Sequence, residues 1–190
     1  SILGSTQNDL LTGCAGNDTI NGGGGDDAIF YDYNGNGSIF GGDGNDVIVG
    51  SSFYVAANLD PTLTGAATLT GGAGADYFEF VFGRGSPVIT DFNASEGDKI
   101  YISFVSTSNP LIQTPNKQIH KFIGTDVPFN DSNIEEVRFN SVAQTIEAHE
   151  VGSLLPTTVV KLIGVKAFSA DSLSIIDYDN YDNSGSVIFL

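Results

Sequence analysis

The 190-residue chain has no tryptophan, no methionine, one cysteine, two histidines and only seven lysines and arginines. Each shortage excludes something. The single cysteine, Cys14, rules out an internal disulfide and a cysteine-rich zinc site. Seven bases against 23 acids give a net charge of −16, which argues against nucleic acid or an anionic membrane as partner and for cations. No apolar run reaches membrane length; the best, Thr158 to Val165, is broken by Lys161, so no membrane insertion is expected. The first residues lack the basic and apolar regions of a cleaved signal peptide. Ser1 fits either a chain that has lost its initiator Met or a cut fragment.

Catalytic patterns are missing too. His149-Glu150 is not followed by a second histidine at the spacing of a zinc-protease helix. No lysine follows a glycine run, so there is no phosphate-binding loop, and there is no Gly-x-Ser-x-Gly elbow. Cys14 has no basic neighbour to activate it. His120 and His149 read as ordinary β-surface positions. The chain is therefore expected not to be an enzyme.

What the sequence does have is unevenly placed. Residues 1–83 hold ten acids, nine of them Asp, without one Lys or Arg, and 18 of the 24 glycines. From Arg84 on, 13 acids meet 7 bases and glycine thins out. Two regions follow, 1–80 and 81–190. A Gly/Asp-rich segment without bases is often a disordered linker, but here the residues are in register. On a period of nine the turns read 4–9, 13–18, 22–27, 32–37, 41–46 and 71–76, each followed by three residues with an apolar centre. Those centres are Leu11, Ile20, Ile29, Ile39, Ile48 and Phe78, with Leu69 ending a degenerate turn. Their spacings are 9, 9, 10, 9, 21 and 9: Tyr31 accounts for the ten, and a twelve-residue insertion within about 50–67 for the 21.

Glycine tolerates positive φ, so such hexapeptides can bend tightly and turn carbonyls inward. Asp at the sixth position adds a carboxylate, and carbonyl and carboxylate oxygens suit a hard cation such as Ca²⁺. The three following residues form a short strand with its middle side chain inward. The pattern, GGxGxDxUx, resembles the calcium-binding nonapeptide repeats of RTX proteins. The resemblance implies a parallel β-roll in which two nonapeptides make one coil and every second turn stacks, with Ca²⁺ between turns. The odd turns end in Asp9, Asp27, Asp46 and Asp76; the even turns end in Asp18, Gly37 and about Ala67. A well-filled ion column is expected on the odd side and a poor one on the even side, where Asp32 or Asn34 is a candidate to rescue one site. The expected metal set is these five Asp residues, the turn residues Gly22, Gly23, Gly24 and Gly25, Gly41, Gly42, Asp43 and Gly44, Gly71, Gly72, Ala73 and Gly74, and Asp91 against the last turn, holding about three to five ions in all. The Asp26 and Asp43 side chains read as solvated surface charge. The insertion, with Phe53, Tyr54 and Val55, is either a loop packed over the roll's poor side or a contact surface.

The second region reads as strands around Val88, Lys99–Ser103, 119–123, Val137–Phe139, 158–163 and 173–176. Ser132 to Glu135 could open a helix as a capping box, but the apolar positions after it do not keep helical period. Pro87 to Ser103, with Asp91-Phe92 and Gly97-Asp98-Lys99-Ile100, resembles the segment following the repeats in serralysin-type metalloproteases and alginate epimerase R-modules. Lys121 to Thr125, Glu136 to Phe139 and Val160 to Leu173 extend the likeness; 145–157 departs from it. The expected fold is all-β: a parallel β-roll, then a β-sandwich-like C-terminal cap. Asp98 reads as a turn residue.

Three functions compete. The favoured one, which takes the chain as whole, is a secreted or cell-surface, non-catalytic calcium-binding protein exported by type I secretion machinery, its last residues Ser186 to Leu190 resembling an export tail. It would self-assemble into filaments or layers through the uncapped N-terminal end of the roll, met by the acidic segment 177–182. The alternatives are the C-terminal export and folding module of a larger secreted enzyme and a carbohydrate-binding accessory module.

Overall fold

The computed structural model describes residues 1–14, 16–31, 35–50, 65–82, 85–104, 120–130, 135–149 and 157–177. The apolar residue that recurs every nine positions makes a strand of each repeat: β1 (Ile2–Leu3), β2 (Leu10–Thr12), β3 (Thr19–Gly24), β4 (Ala28–Phe30), β5 (Ser38–Asp43), β6 (Val47–Val49), β7 (Thr68–Ala73) and β8 (Tyr77–Val81). Successive strands go to opposite sheets, so one coil takes two repeats. β1, β3, β5 and β7 pair in parallel in one sheet, and β2, β4, β6 and β8 in the other. Registers match repeat centre to repeat centre: Ile2 to Ile20 to Ile39 to Leu69, and Leu11 to Ile29 to Ile48 to Phe78. The protein is all-β and its first half is a parallel β-roll.

The repeat centres form the core. Ile20, Ile29, Ile39, Ile48, Leu69 and Phe78 are fully buried, whereas Ile2 and Leu11, in the outermost coil, are only partly so. A roll this thin holds one inward side chain per strand, so β-branched and aromatic residues carry its apolar burial.

The cap continues the roll. The same two sheets run on. The longer has the order β1-β3-β5-β7-β9-β14-β13-β12-β11, with β9 (Val88–Ile89), β11 (His120–Thr125), β12 (Glu135–Asn140), β13 (Thr145–Ala148) and β14 (Thr157–Leu162). In the shorter, β10 (Lys99–Phe104) pairs with β8 and with β15 (Leu173–Asp177), which a 3-10 turn at Ala170–Ser172 precedes. Longer strands admit second inward residues, Phe80 and Ile102, and the core widens into Phe139, Ile146, Val160 and Phe168. Phe168 lies 5.6 Å from Phe92 and 5.7 Å from Phe139, ring centre to ring centre.

Some expectations shift. β13 occupies part of the stretch where the sequence leaves the family's pattern; all four of its residues are buried, so it lacks the alternation that marks a half-exposed strand. His149 is not a surface residue: it is fully buried, 3.5 Å from the Glu136 carboxylate and edge-on to Phe129. His120 opens β11. Positions 51–64, Asp32, Asn34, 132–134, 150–156 and 178–190 lie outside the described residues.

Turn stacking is where glycine is indispensable. Gly42 has φ of +124°, and a Cβ there would run into the Gly23 carbonyl of the preceding coil. Gly16 also has positive φ, +121°, but open space around it. Gly16→Ala should cost about 1 kcal/mol from backbone strain. Gly42→Ala should cost about 1–3 kcal/mol more from the clash. Unfolding midpoints of the two variants in saturating calcium compare them directly; equal losses would show that turn stacking does not constrain Gly42.

Candidate functional site: a column of carboxylates

The two sides of the roll differ. Strands leading into the odd turns, β3, β5 and β7, are six residues long and continue through the first three turn positions; β2, β4 and β6, leading into the even turns, are three residues long. Odd turns are thus tied to one another by strand pairing. In the same column the Gly25 N–H donates to the Asp43 carbonyl and the Gly44 N–H to that of Ala73, both at 2.8 Å.

The sixth-position carboxylates form a ladder along this column. Asp27 Oδ1 accepts the Asp9 N–H at 2.8 Å, Asp46 Oδ1 accepts Asp27 N–H at 2.9 Å, and Asp76 Oδ1 accepts Asp46 N–H at 2.9 Å. The next rung was not expected: Asp98 Oδ1 accepts the Asp76 N–H at 3.0 Å. Residues 93–98 are therefore a further odd turn, in register because β10 pairs Ile100 with Phe78. The sequence hid this, since Asn93, Ala94 and Glu96 stand where the repeat has glycine and the centre Ile100 follows Ile89 by 11 residues and not nine.

The second carboxylate oxygens divide into two kinds. Oδ2 of Asp27, Asp46 and Asp76 is buried and has no hydrogen-bond partner. Each lies over the first glycine of its own turn, Gly22, Gly41 or Gly71, where a Cβ would overlap it. At Gly22 and Gly41 the same spot also faces a first-position carbonyl of the next coil, that of Gly41 or Gly71. At the column's ends the oxygen is satisfied. Asp9 Oδ2 accepts Ser5 N–H at 2.7 Å and Ser5 Oγ–H at 2.9 Å. Asp98 Oδ2 accepts Asn93 N–H at 2.8 Å. Asp91 closes the last repeat turn from the side, its two oxygens accepting Gly71 N–H at 3.0 Å and Gly72 N–H at 2.9 Å.

Burial, the largest cause, pushes the Asp76 carboxyl up to about 7, with Asp98, Asp46 and Asp91 adding like charge. Burial likewise raises Asp46 and Asp98. A buried carboxylate oxygen without donor or counter-ion is costly. Three of them, two beside a carbonyl of the next coil, are what a hard cation with oxygen ligands relieves. The donors fit Ca²⁺ in kind: one carboxylate per turn plus main-chain carbonyls. Among the described residues no three His, Cys, Asp or Glu side chains gather as a metal cluster.

Among the described residues the even side shows no such ladder. Asp18 is partly buried, with Oδ2 3.4 Å from where a Gly13 Cβ would be, and the next coil offers Gly37 instead of a carboxylate. Both sides share a different ladder at the fifth turn position. Asn8 Oδ1 accepts Asp26 N–H, Asp26 Oδ1 accepts Asn45 N–H, and Asn45 Oδ1 accepts Ala75 N–H, all at 2.8–2.9 Å. Asn17 and Asn36 do the same for Asn36 N–H and Ala66 N–H. Asp26 is exposed, as read, but it is a rung and not idle surface charge. The signal was in the repeats: the fifth position is Asn or Asp in turns 4–9, 13–18, 22–27, 32–37 and 41–46. The Asp43 side chain is exposed.

Comparison with known proteins now has a site to refer to. Residues 3–32, 31–52 and 63–83 match the RTX calcium-binding nonapeptide repeat, in four copies. The chain thus carries a calcium-binding RTX repeat module, and the odd column is where its acids converge. No curated protein matches the chain. Among solved structures it is similar to the AlgE6R3 subunit of the Azotobacter vinelandii mannuronan C5-epimerase, at 22% identity and a TM-score of 0.39 over 98% of this chain and 87% of that one. That likeness is too distant to carry residue roles across.

The raised Asp76 carboxyl has a direct consequence. Between its ordinary value of 3.8 and about 7, the metal-free fold keeps a proton that the unfolded chain has lost. Stability of the metal-free fold therefore falls as pH rises through that window. In chelator, whatever β signal circular dichroism finds should be larger at pH 5 than at pH 7.5, and saturating calcium, which displaces the proton, should remove or reverse that order. A metal-free β signal that grows with pH would contradict this reading of Asp76.

Proposed function

We propose that the chain is a secreted, non-catalytic calcium-binding protein whose roll folds when calcium enters the odd column. The observation that carries this reading is the set of three buried carboxylate oxygens, on Asp27, Asp46 and Asp76, that no described residue satisfies. Three ions are proposed, one per unsatisfied oxygen, with turn carbonyls from 22–25, 41–44 and 71–74 as further ligands. Asp18 makes at most a weak site. Asp9 and Asp91 hold backbone N–H groups at the column's margins.

Ten acids without a base in residues 1–83 repel one another until cations intervene. The thin core of the roll offers little to offset that, so binding free energy becomes folding free energy. Extracellular calcium modules bind with Kd of about 10⁻⁴–10⁻³ M, far weaker than cytosolic calcium can fill. The roll then stays open for export, by type I secretion machinery, and closes outside. The reading as an export and folding module of a larger secreted enzyme is supported by the Pro87–Ser103 resemblance; the mass of the natural protein separates the two.

Growth into a filament through the N-terminal end has less support. β1 and β2 are free edges with Leu3 77% and Leu10 73% exposed, a template for pairing. A head-to-tail neighbour would need an open roll end of its own, and β9, β10, β14 and β15 occupy that end. The acidic segment offered as junction lies beyond Asp177, outside the described residues.

Circular dichroism with and without chelator tests the proposal. At pH 7.5 the β spectrum should appear only with calcium, and Asp27→Ala or Asp46→Ala should raise the calcium midpoint several-fold more than Asp18→Ala. An unchanged spectrum in excess chelator, or equal effects of the three substitutions, would overturn it.

A further inference from the structure

The turn 93–98 stacks on the last repeat turn as a repeat turn would, yet two features separate it from those of Asp27, Asp46 and Asp76. Its first residue is Asn93, where the others have Gly22, Gly41 and Gly71. In those three the missing Cβ leaves the space that the free Oδ2 occupies; at Asn93 a side chain is present. Correspondingly, neither oxygen of Asp98 is free, Oδ1 taking the Asp76 N–H at 3.0 Å and Oδ2 the Asn93 N–H at 2.8 Å. Asp98 is 4% exposed, a Cβ at Gly97 would meet the Ala75 side chain, and the following strand continues the sheet by Lys99 N–H to Asp76 carbonyl at 2.8 Å.

We infer that residues 93–98 are a metal-free closing turn, in which Asp98 is a positioning residue: it binds no ion itself but fixes the main chain of Asp76 and so aims that residue's unsatisfied Oδ2 at the last ion. Each inner carboxylate is oriented by its N–H bond to the carboxylate of the next coil, so the series needs an end. An Asp whose second oxygen is turned back onto its own turn supplies that end without requiring a further cation. Asn93 and Asp98 thus set the length of the ion column. The inference rests on the proposal that the odd column binds calcium.

The test uses the whole chain, with native mass spectrometry and calorimetry to count calcium ions and hydrogen exchange to follow the Asp76 amide. In Asp98→Ala the ion count in saturating calcium should equal that of the parent, one ion should bind at least tenfold more weakly, and the Asp76 amide should exchange at least tenfold faster. Asp98→Asn, which keeps an acceptor oxygen but no charge, should retain the parent's ion count and much of the Asp76 protection, and it stays informative if the alanine variant does not fold. Loss of one whole ion in Asp98→Asn would make Asp98 a ligand and overturn the inference, as would an Asp98→Ala protein with parental affinities and exchange. A parent chain that binds no calcium would instead refute the underlying proposal.

Discussion

The arrangement depends on one electrostatic constraint: carboxylates stacked coil upon coil on one side of a thin roll, the inner three each with one oxygen bonded and one oxygen bare. The bonded oxygens make the ladder from Asp9 through Asp98. The bare ones concentrate negative charge in a buried place, where repulsion is weakly screened. A proton can relieve this, and the raised Asp76 carboxyl shows that pull. A divalent cation relieves it better, since it also satisfies the neighbouring carbonyls.

Much else follows. The carboxylate oxygen needs room over the first turn position, so Gly22, Gly41 and Gly71 stand there, and stacked carbonyls need positive φ at Gly23, Gly42 and Gly72. Glycine on that scale leaves few side chains to bury, so each coil rests on one apolar residue per strand. At the column's ends no carboxylate oxygen is left bare. At one end Ser5 covers Asp9 and at the other Asn93 covers Asp98. Beyond that point the same two sheets carry longer strands and a wider aromatic core.

The repeat period made the roll legible, down to which turns stack, because nine-residue spacing and an apolar centre are properties of the chain itself. Asp27, Asp46 and Asp76 were readable as one column for the same reason. Asp9 was grouped with them because its turn has the same sixth residue; that Ser5 takes its free oxygen depends on the absence of a glycine at one position. Asp98 was hidden because its turn kept the Asp and lost the glycines, so register, visible only once β10 pairs with β8, had to reveal it. The fifth-position ladder was in plain view as recurring Asn, but a side chain that binds backbone one coil away leaves no pattern except recurrence. β13 and buried His149 escaped because burial on both faces erases the alternation that sequence reading relies on.

Anomalous diffraction from crystals grown with calcium, or with a lanthanide in its place, tests the central claim most directly. The account predicts three peaks in line along the odd side, each beside Oδ2 of Asp27, Asp46 or Asp76, with none at Asp98. Peaks on the even side at Asp18 with none in that line, or no ordered ion in a folded roll, would contradict it.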